Sequence, residues 1–299
     1  MPDLWTAWRD RLAFSTNAFK KTSWEQAISD IAGCGYAGCE IMADQPHFTP
    51  FDMSTNEVIS LGDALSDAGL RASNVNAFTG FFNAEPFPHG RPTGDTYSPT
   101  WIDDDPDGLT TRVDHTLASI RLAAAIGADT VSLQPGGPMI GRDASRDELE
   151  ARFADGIRRC LRTAKANDVT LAIEPEPGLL LETTPEYVAW KACYFDDEPS
   201  ISMNFDVGHA FCVGEDPAAT ARDLVGQYTH VHLEDIAASR VHQHLVPGKG
   251  AIDFVALFAA LSDVGYGGWV TVELYPFMDG PAGVAKDAIH FLEEQLTSA

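Results

Sequence analysis

Four segments of the sequence bring an ionisable side chain to the end of an apolar run. They are LAIE at Glu174, MNFD at Asp206, HVHL at His232 and TVEL at Glu273. The separations are 32, 26 and 41 residues. Three carboxylates and one imidazole make a donor set for a divalent cation. Mn²⁺, Mg²⁺ or Co²⁺ suit it better than Zn²⁺. Such an ion polarises a carbonyl and templates a neighbouring hydroxyl. Each residue alone has an ordinary structural explanation. A Glu after a strand caps or pairs, an Asp before Val-Gly shapes a turn, and a His in HVHLED can be a satisfied core residue. All four at the ends of successive apolar runs are harder to account for in that way.

Other residues stand near these ends. His209, three after Asp206, is placed to hold a substrate oxygen or to support a metal ligand. Glu176 can support Glu174 in the same manner. His242 and His244 form an H-x-H pair that either lies in an exposed loop or faces the site. Lys249, between two glycines, either binds a substrate anion or sits in a turn. His47 and Gln134 follow the second and fourth apolar runs.

These side chains need elements to aim them. Short apolar runs alternate with helical patterns along the chain. The runs are 11–14, 38–42, 70–78, 129–133, 169–173, 201–205, 228–233 and 269–274. Helical spacing covers 24–34, 57–68, 109–126, 145–167, a stretch opening at Thr184 with Pro185 at its first position, 217–225, 253–264 and 284–296. Eight repeats with nearly continuous apolar strands imply parallel pairing with both faces covered. A (β/α)₈ TIM barrel closes that arrangement, as one α/β domain over 1–299. A barrel of about 250 residues spends about 31 on each unit, so the four ligand candidates recur about once per unit at one mouth. An open doubly wound sheet would want a G-x-G-x-x-G turn after an early strand, and none is there. The stretch from Thr79 to Gly108 is long, irregular and aromatic, which suits a loop covering the mouth after strand three. Substrate choice is expected there and at His47, Trp101 and Phe211.

The chain carries 44 acidic against 20 basic residues, a formal net charge of −24. No basic stripe offers a phosphate backbone a seat, so nucleic acid and anionic membranes are excluded as partners. Strong acidity suits a salt-rich cytoplasm, where screening relieves self-repulsion. Five scattered cysteines without a C-x-x-C pair argue for free thiols. The charged N-terminus and the lack of a long apolar window point to a cytoplasmic protein.

The segments AFSTNAF, IAGCGYAGCEI, LAIEPEPG, NFDVGHA, HVHLEDI, HLVPGKGAIDF and WVTVELY resemble the xylose-isomerase-like TIM-barrel superfamily, in particular its sugar (phosphate) isomerase/epimerase branch. The resemblance covers almost the whole chain. It implies one divalent metal held by Glu174, Asp206, His232 and Glu273. It implies proton transfer by Glu174 and Glu273, substrate contact by His209, and an arginine contact for which Arg240 is the nearest candidate. It implies a homodimer or homotetramer. The expected reaction is metal-assisted isomerisation or epimerisation of a sugar or other polyhydroxy carbonyl compound through a metal-stabilised enediolate. One glutamate removes the proton beside the carbonyl and the other returns one. The alternatives are a dehydratase of the inosose or dehydroshikimate type, with His209 or His244 protonating the departing hydroxyl, and a non-catalytic carbohydrate-binding protein.

Overall fold

A computed structural model gives the structure, which describes residues 3–78, 97 and 99–299. Eight strands, β1 (Leu12–Ser15), β2 (Gly38–Met42), β3 (Arg71–Asn76), β4 (Thr130–Leu133), β5 (Thr170–Ile173), β6 (Ile201–Asp206), β7 (Tyr228–Leu233) and β8 (Trp269–Val272), close into a barrel in sequence order. Every pairing is parallel, and β1 meets β8 to complete the circle.

Helices α1 (Leu4–Trp8), α2 (Trp24–Cys34), α3 (Thr55–Asp67), α4 (Pro106–Ile126), α5 (Arg146–Ala166), α6 (Thr184–Tyr194), α7 (Val207–Cys212), α8 (Pro217–Asp223), α9 (Phe254–Asp263) and α10 (Pro281–Thr297) fall between and around the strands. Most begin at a side-chain cap. Ser54, Ser145 and Thr183 each form a reciprocal box with a glutamate three residues on, and each cap is worth about 1 kcal/mol. Between barrel and helices lies the apolar core. Phe153 of α5 stacks on Trp190 of α6 with centroids 4.6 Å apart. Burying a ring such as Phe153 stabilises by about 1.5–3 kcal/mol.

The inner wall is unusual in chemistry. Barrel interiors are generally filled by branched aliphatics. Here polar side chains meet one another inside: Asn74 Nδ2 donates to Ser132 Oγ at 2.8 Å, and the hydroxyls of Ser73 and Thr271 lie 3.2 Å apart. A wall of this kind can carry charge to the mouth without leaving it unpaired.

Several boundaries differ from the sequence reading. Strand β3 stops at Asn76, because the Asn76 side chain turns back to accept from Phe78 N at 3.0 Å. Helix α4 starts at Pro106, three residues early, since Asp105 caps it and Pro106 takes the first position. Helix α6 does open at Thr184, but Thr183 caps it, so Pro185 takes the second position rather than the first. The short helices α1 and α7 have no periodic signal in the sequence. Most of the long stretch after strand three, residues 79–96 and 98, lies outside the described residues. Trp101 packs against Phe153 of the helix layer, with centroids 5.9 Å apart and no exposed surface, rather than facing substrate.

Candidate metal centre

The four strand-end residues converge. Glu174 follows β5 and Glu273 follows β8, each held by its backbone N–H on the neighbouring strand, to Leu133 O and Leu233 O, both at 3.0 Å. Asp206 ends β6, and His232 lies beside it in register on β7. One donor atom from each of the four lies within 4.8 Å of all the others. From His232 Nδ1, Glu174 Oε1 is 3.3 Å away, Glu273 Oε1 3.8 Å and Asp206 Oδ2 4.0 Å. All four residues are buried. Ligand atoms about 2.1 Å from one ion stand about 3 Å apart in octahedral geometry, so a small contraction of this set would hold a divalent cation.

Asp206 explains why a carboxylate follows an apolar strand into Val-Gly. Its Oδ1 accepts the His209 N–H at 2.7 Å and so caps α7. Its Oδ2 is buried without an amide or hydroxyl donor among the described residues, and the side chain that can bond to Asp206 here is that of Glu234, when its carboxyl is protonated. The turn chemistry thus occupies one oxygen of the side chain and leaves the other for a cation. A buried carboxylate oxygen whose neighbours are acids is what a cation would neutralise.

Neutral amides hold the other carboxylates. Asn204 Nδ2 donates to Glu174 Oε2 at 2.8 Å. Asn17 Nδ2 and Asn76 Nδ2 donate to Glu273 Oε1 at 2.8 and 3.3 Å. The imidazole is held by a residue that sequence reasoning missed. Glu40 of β2 takes His232 Nε2 at 2.7 Å, and Asn74 and Asn76 donate to its oxygens at 2.8 and 3.2 Å. With Nε2 occupied, His232 turns Nδ1 to the three carboxylates. The signal was present: an acid in the middle of GCEIM, a strand buried along its length, must find a partner.

The charges respond to this enclosure. Burial and the neighbouring carboxylates Glu174, Glu40 and Asp206 push Glu273 well above the ordinary carboxylate range. Burial would raise Glu40 too, but the imidazoles of His232 and His230 hold it well below that range. Burial opposes a charged His232, yet Glu40, Glu174 and Glu273 raise it well above the usual imidazole value. Despite burial, His209, His244 and His232 hold Asp206 down at about 2.

A second group of imidazoles flanks the carboxylates. His209 Nδ1–H donates to Pro175 O at 3.1 Å, and its Nε2 lies 3.0 Å from His242 Nε2. His242 Nε2 lies 3.2 Å from His244 Nε2, and His244 Nδ1–H donates to Glu273 O at 3.1 Å. The structure thus brings both members of the H-x-H pair to the site. Burial lowers His242 to about 2 and His244 to about 4, so both are neutral. Glu176 accepts from the Tyr97 hydroxyl at 3.0 Å, and burial pushes it up to about 7. Glu234, also missed in the sequence, is fully buried beside Asp206.

The remaining candidates lie elsewhere. Gln134 is buried at the end of β4, where its Nε2 donates to Phe78 O at 2.7 Å and Tyr97 O at 3.3 Å. It ties together the two sides of the long stretch. His47 Nε2 sits 2.7 Å from Thr22 O. Arg240 lies exposed, its guanidinium 4.3 Å above the Phe211 ring and bonded to Phe211 O. Lys249 is exposed in a turn, its N–H bonded to Val246 O. Neither cation is gathered into the cluster.

The chain is similar to known proteins along its length. It is 24% identical over 295 residues to an inosose dehydratase of Clostridium beijerinckii, covering 92% of this chain and 91% of the relative. In structure it is similar to a D-tagatose 3-epimerase-like protein, with a TM-score of 0.75, 18% identity and coverage of 96% of this chain and 98% of that one. It is also similar to the IOLI protein, whose structure holds a zinc atom, with a TM-score of 0.73, 14% identity and coverage of 97% and 100%. Among the described residues no helix is long and apolar enough to cross a membrane. Residues 28–295 match the family described as xylose isomerase-like TIM barrel, and the chain belongs to that family.

Proposed function

We propose that this protein is a divalent-metal-dependent isomerase or epimerase of a sugar or related polyhydroxy carbonyl compound. The observation that carries the reading is the placement of Glu174 and Glu273. They leave strands β5 and β8, three apart around an eight-stranded barrel, so they approach one point from well-separated walls. Glu174, Asp206, His232 and Glu273 would hold the ion. When bound, it supplies Lewis-acid polarisation of the carbonyl and fixes the adjacent hydroxyl.

The chain's own residues do the rest. One of the two glutamates takes the proton from the carbon beside the carbonyl, leaving a planar enediolate. The other delivers a proton to the opposite face, giving an epimer, or to the neighbouring carbon, giving an isomer. Proton transfers by positioned side chains contribute about 10²–10⁴-fold each. Asn204, Asn17 and Asn76 hold the carboxylates in place throughout. The neutral imidazoles of His242 and His244 can donate to or accept from substrate hydroxyls. The zinc in the IOLI structure supports a divalent ion here.

A dehydratase is the second reading. The first proton abstraction is the same, and a β-hydroxyl then leaves. The likeness to an inosose dehydratase over 92% of this chain favours it. So does Glu176, whose value of about 7 leaves a protonated acid available near neutrality beside the site.

One experiment separates them. The metal-loaded protein is incubated with a panel of ketoses and inososes in deuterated water. Isomerisation or epimerisation gives a product with no atoms lost and one hydrogen at the reacting carbon replaced by deuterium. Dehydration gives loss of water and a conjugated chromophore in the ultraviolet. Normal turnover by the chelator-stripped protein would sink both readings.

A further inference from the structure

The loop that brings His242 and His244 to the mouth runs over residues 236–251, between β7 and α9. Its two ends meet, since Ala251 N–H donates to Ile236 O at 2.9 Å. Asp235 and Leu245 exchange backbone hydrogen bonds of 2.8 and 2.7 Å across it. The Asp235 side chain, buried at the foot of the loop, collects four more backbone N–H groups. Its Oδ1 accepts from Ile236 and Ile252 at 2.9 and 3.1 Å, and its Oδ2 accepts from Gly248 and Gly250 at 2.9 and 2.7 Å. The fit is close. A Cβ at Gly250 would stand 2.3 Å from Asp235 Oδ1 and 2.3 Å from Ile236 O. Gly248 is left-handed, with φ of 87°, and a Cβ there would stand 2.5 Å from the Phe291 ring.

One side chain thus ties the start of the loop to its end. A carboxylate suits the task because both of its oxygens accept, each from two donors, at a fixed spacing. His244 is the chain neighbour of Leu245 in the bridge, and its Nδ1–H reaches Glu273 O at 3.1 Å. His242 Nε2 follows, 3.2 Å from His244 Nε2 and 3.0 Å from His209 Nε2. We propose that Asp235 is a positioning residue: its carboxylate shuts the loop before substrate arrives and so sets His242 and His244 against Glu273 and His209. Its own hydrogen bonds go to backbone, so it acts through the loop and not on substrate. The effect on turnover rests on the reading that the two imidazoles meet substrate hydroxyls. Their placement does not.

The test is Asp235→Asn in the full chain, loaded with Mg²⁺ and carrying isotope-labelled histidine. Asparagine keeps the shape but has one acceptor oxygen, and its NH₂ opposes one pair of the backbone N–H groups. In the unaltered chain His244 Nδ1–H should give a slowly exchanging imidazole resonance, assigned by its loss in His244→Gln. In Asp235→Asn that resonance should shift and exchange faster by about tenfold or more. On the substrate the panel identifies, kcat/KM should fall about 10- to 100-fold, through KM more than kcat, since misplacing a binding group by about 1 Å costs on that order. Metal affinity, measured by competition with a chelator, should stay unchanged. Gly250→Ala presses on the same carboxylate from the other side and should leave the same signature, which covers the case in which Asp235→Asn fails to fold. A lower melting temperature with the His244 resonance in place in both variants would make Asp235 a brace for the fold alone and overturn the proposal. A moved resonance with unchanged kinetics would keep Asp235 as the positioning residue and take His242 and His244 away from substrate.

Discussion

Strands β5 to β8 and strands β1 to β4 build one mouth with different chemistry. The second half of the barrel delivers Glu174, Asp206, His232 and Glu273, one ionisable group per strand end. The first half delivers Asn17, Glu40 and Asn76, which point two amides and one carboxylate at those groups, and Asn74, whose amide holds Glu40. The division has a physical reason. Several buried carboxylates repel one another and lose hydration, so each needs fixed donors to stay aimed. Amides supply donors without adding net charge. On the proposed reading the charged half does the chemistry, and the neutral half keeps it in register.

The largest effect should come from the charged half. Glu174→Gln and Glu273→Gln keep size and hydrogen bonding but remove the base, and each should lower kcat by about 10³-fold or more. Initial rates on the best substrate of the panel, with bound metal measured alongside, provide the check. Activity within tenfold of the unaltered protein in either variant would remove that glutamate from the proton transfers.

Glu40 tests whether the halves are coupled. It is the carboxylate that the first half sets against the cluster, and it works through His232. Glu40→Gln leaves a side chain that can still meet the imidazole but loses the charge that orients and polarises it. Changes at such a partner cost about 10–100-fold in metal affinity. Competition against a chelator of known affinity measures the loss, and the melting temperature of the stripped protein shows whether the fold has suffered. Unchanged affinity would make Glu40 a filler of the barrel interior.

The same division decides what could be read in the sequence. The barrel was legible because parallel strands buried on both faces leave long apolar runs, such as VTLAI before Glu174. The charged half was legible because a Glu, Asp or His ending such a run is conspicuous, and one per repeat places the set on one mouth. The neutral half was not. Asn74 and Asn76 sit inside a strand, as does Asn204 in the charged half two residues before Asp206, and asparagine in such places reads as an ordinary polar residue. Their role depends on crossing the barrel, over sequence distances of 197 residues for Asn76 and Glu273. Arg240 shows the converse. Its number placed it near the site, but its backbone is left-handed, with φ of 58°, and its guanidinium stacks on Phe211 instead. His244, four residues on, is the one that turns inward, with its ring bonded to the Glu273 backbone.

The smallest effects should come from the amides, and they test whether that half acts as a unit. Asn17 and Asn76 donate to the same oxygen, Glu273 Oε1, at 2.8 and 3.3 Å. Asn76 also reaches Glu40 at 3.2 Å, so it spans both halves. Removing either as Asn17→Ala or Asn76→Ala leaves Glu273 one donor, and should slow turnover about three- to tenfold, roughly 0.7–1.4 kcal/mol. Removing both strips that oxygen of its amide donors. An unpaired buried carboxylate oxygen costs about 1–3 kcal/mol, so the double variant should lose more than the two single losses combined, with a coupling of about 0.5–3 kcal/mol. Rates and thermal melts of the four proteins complete the cycle. Simple additivity would mean that each amide holds Glu273 independently, and that the first half of the barrel is a set of separate props rather than a network.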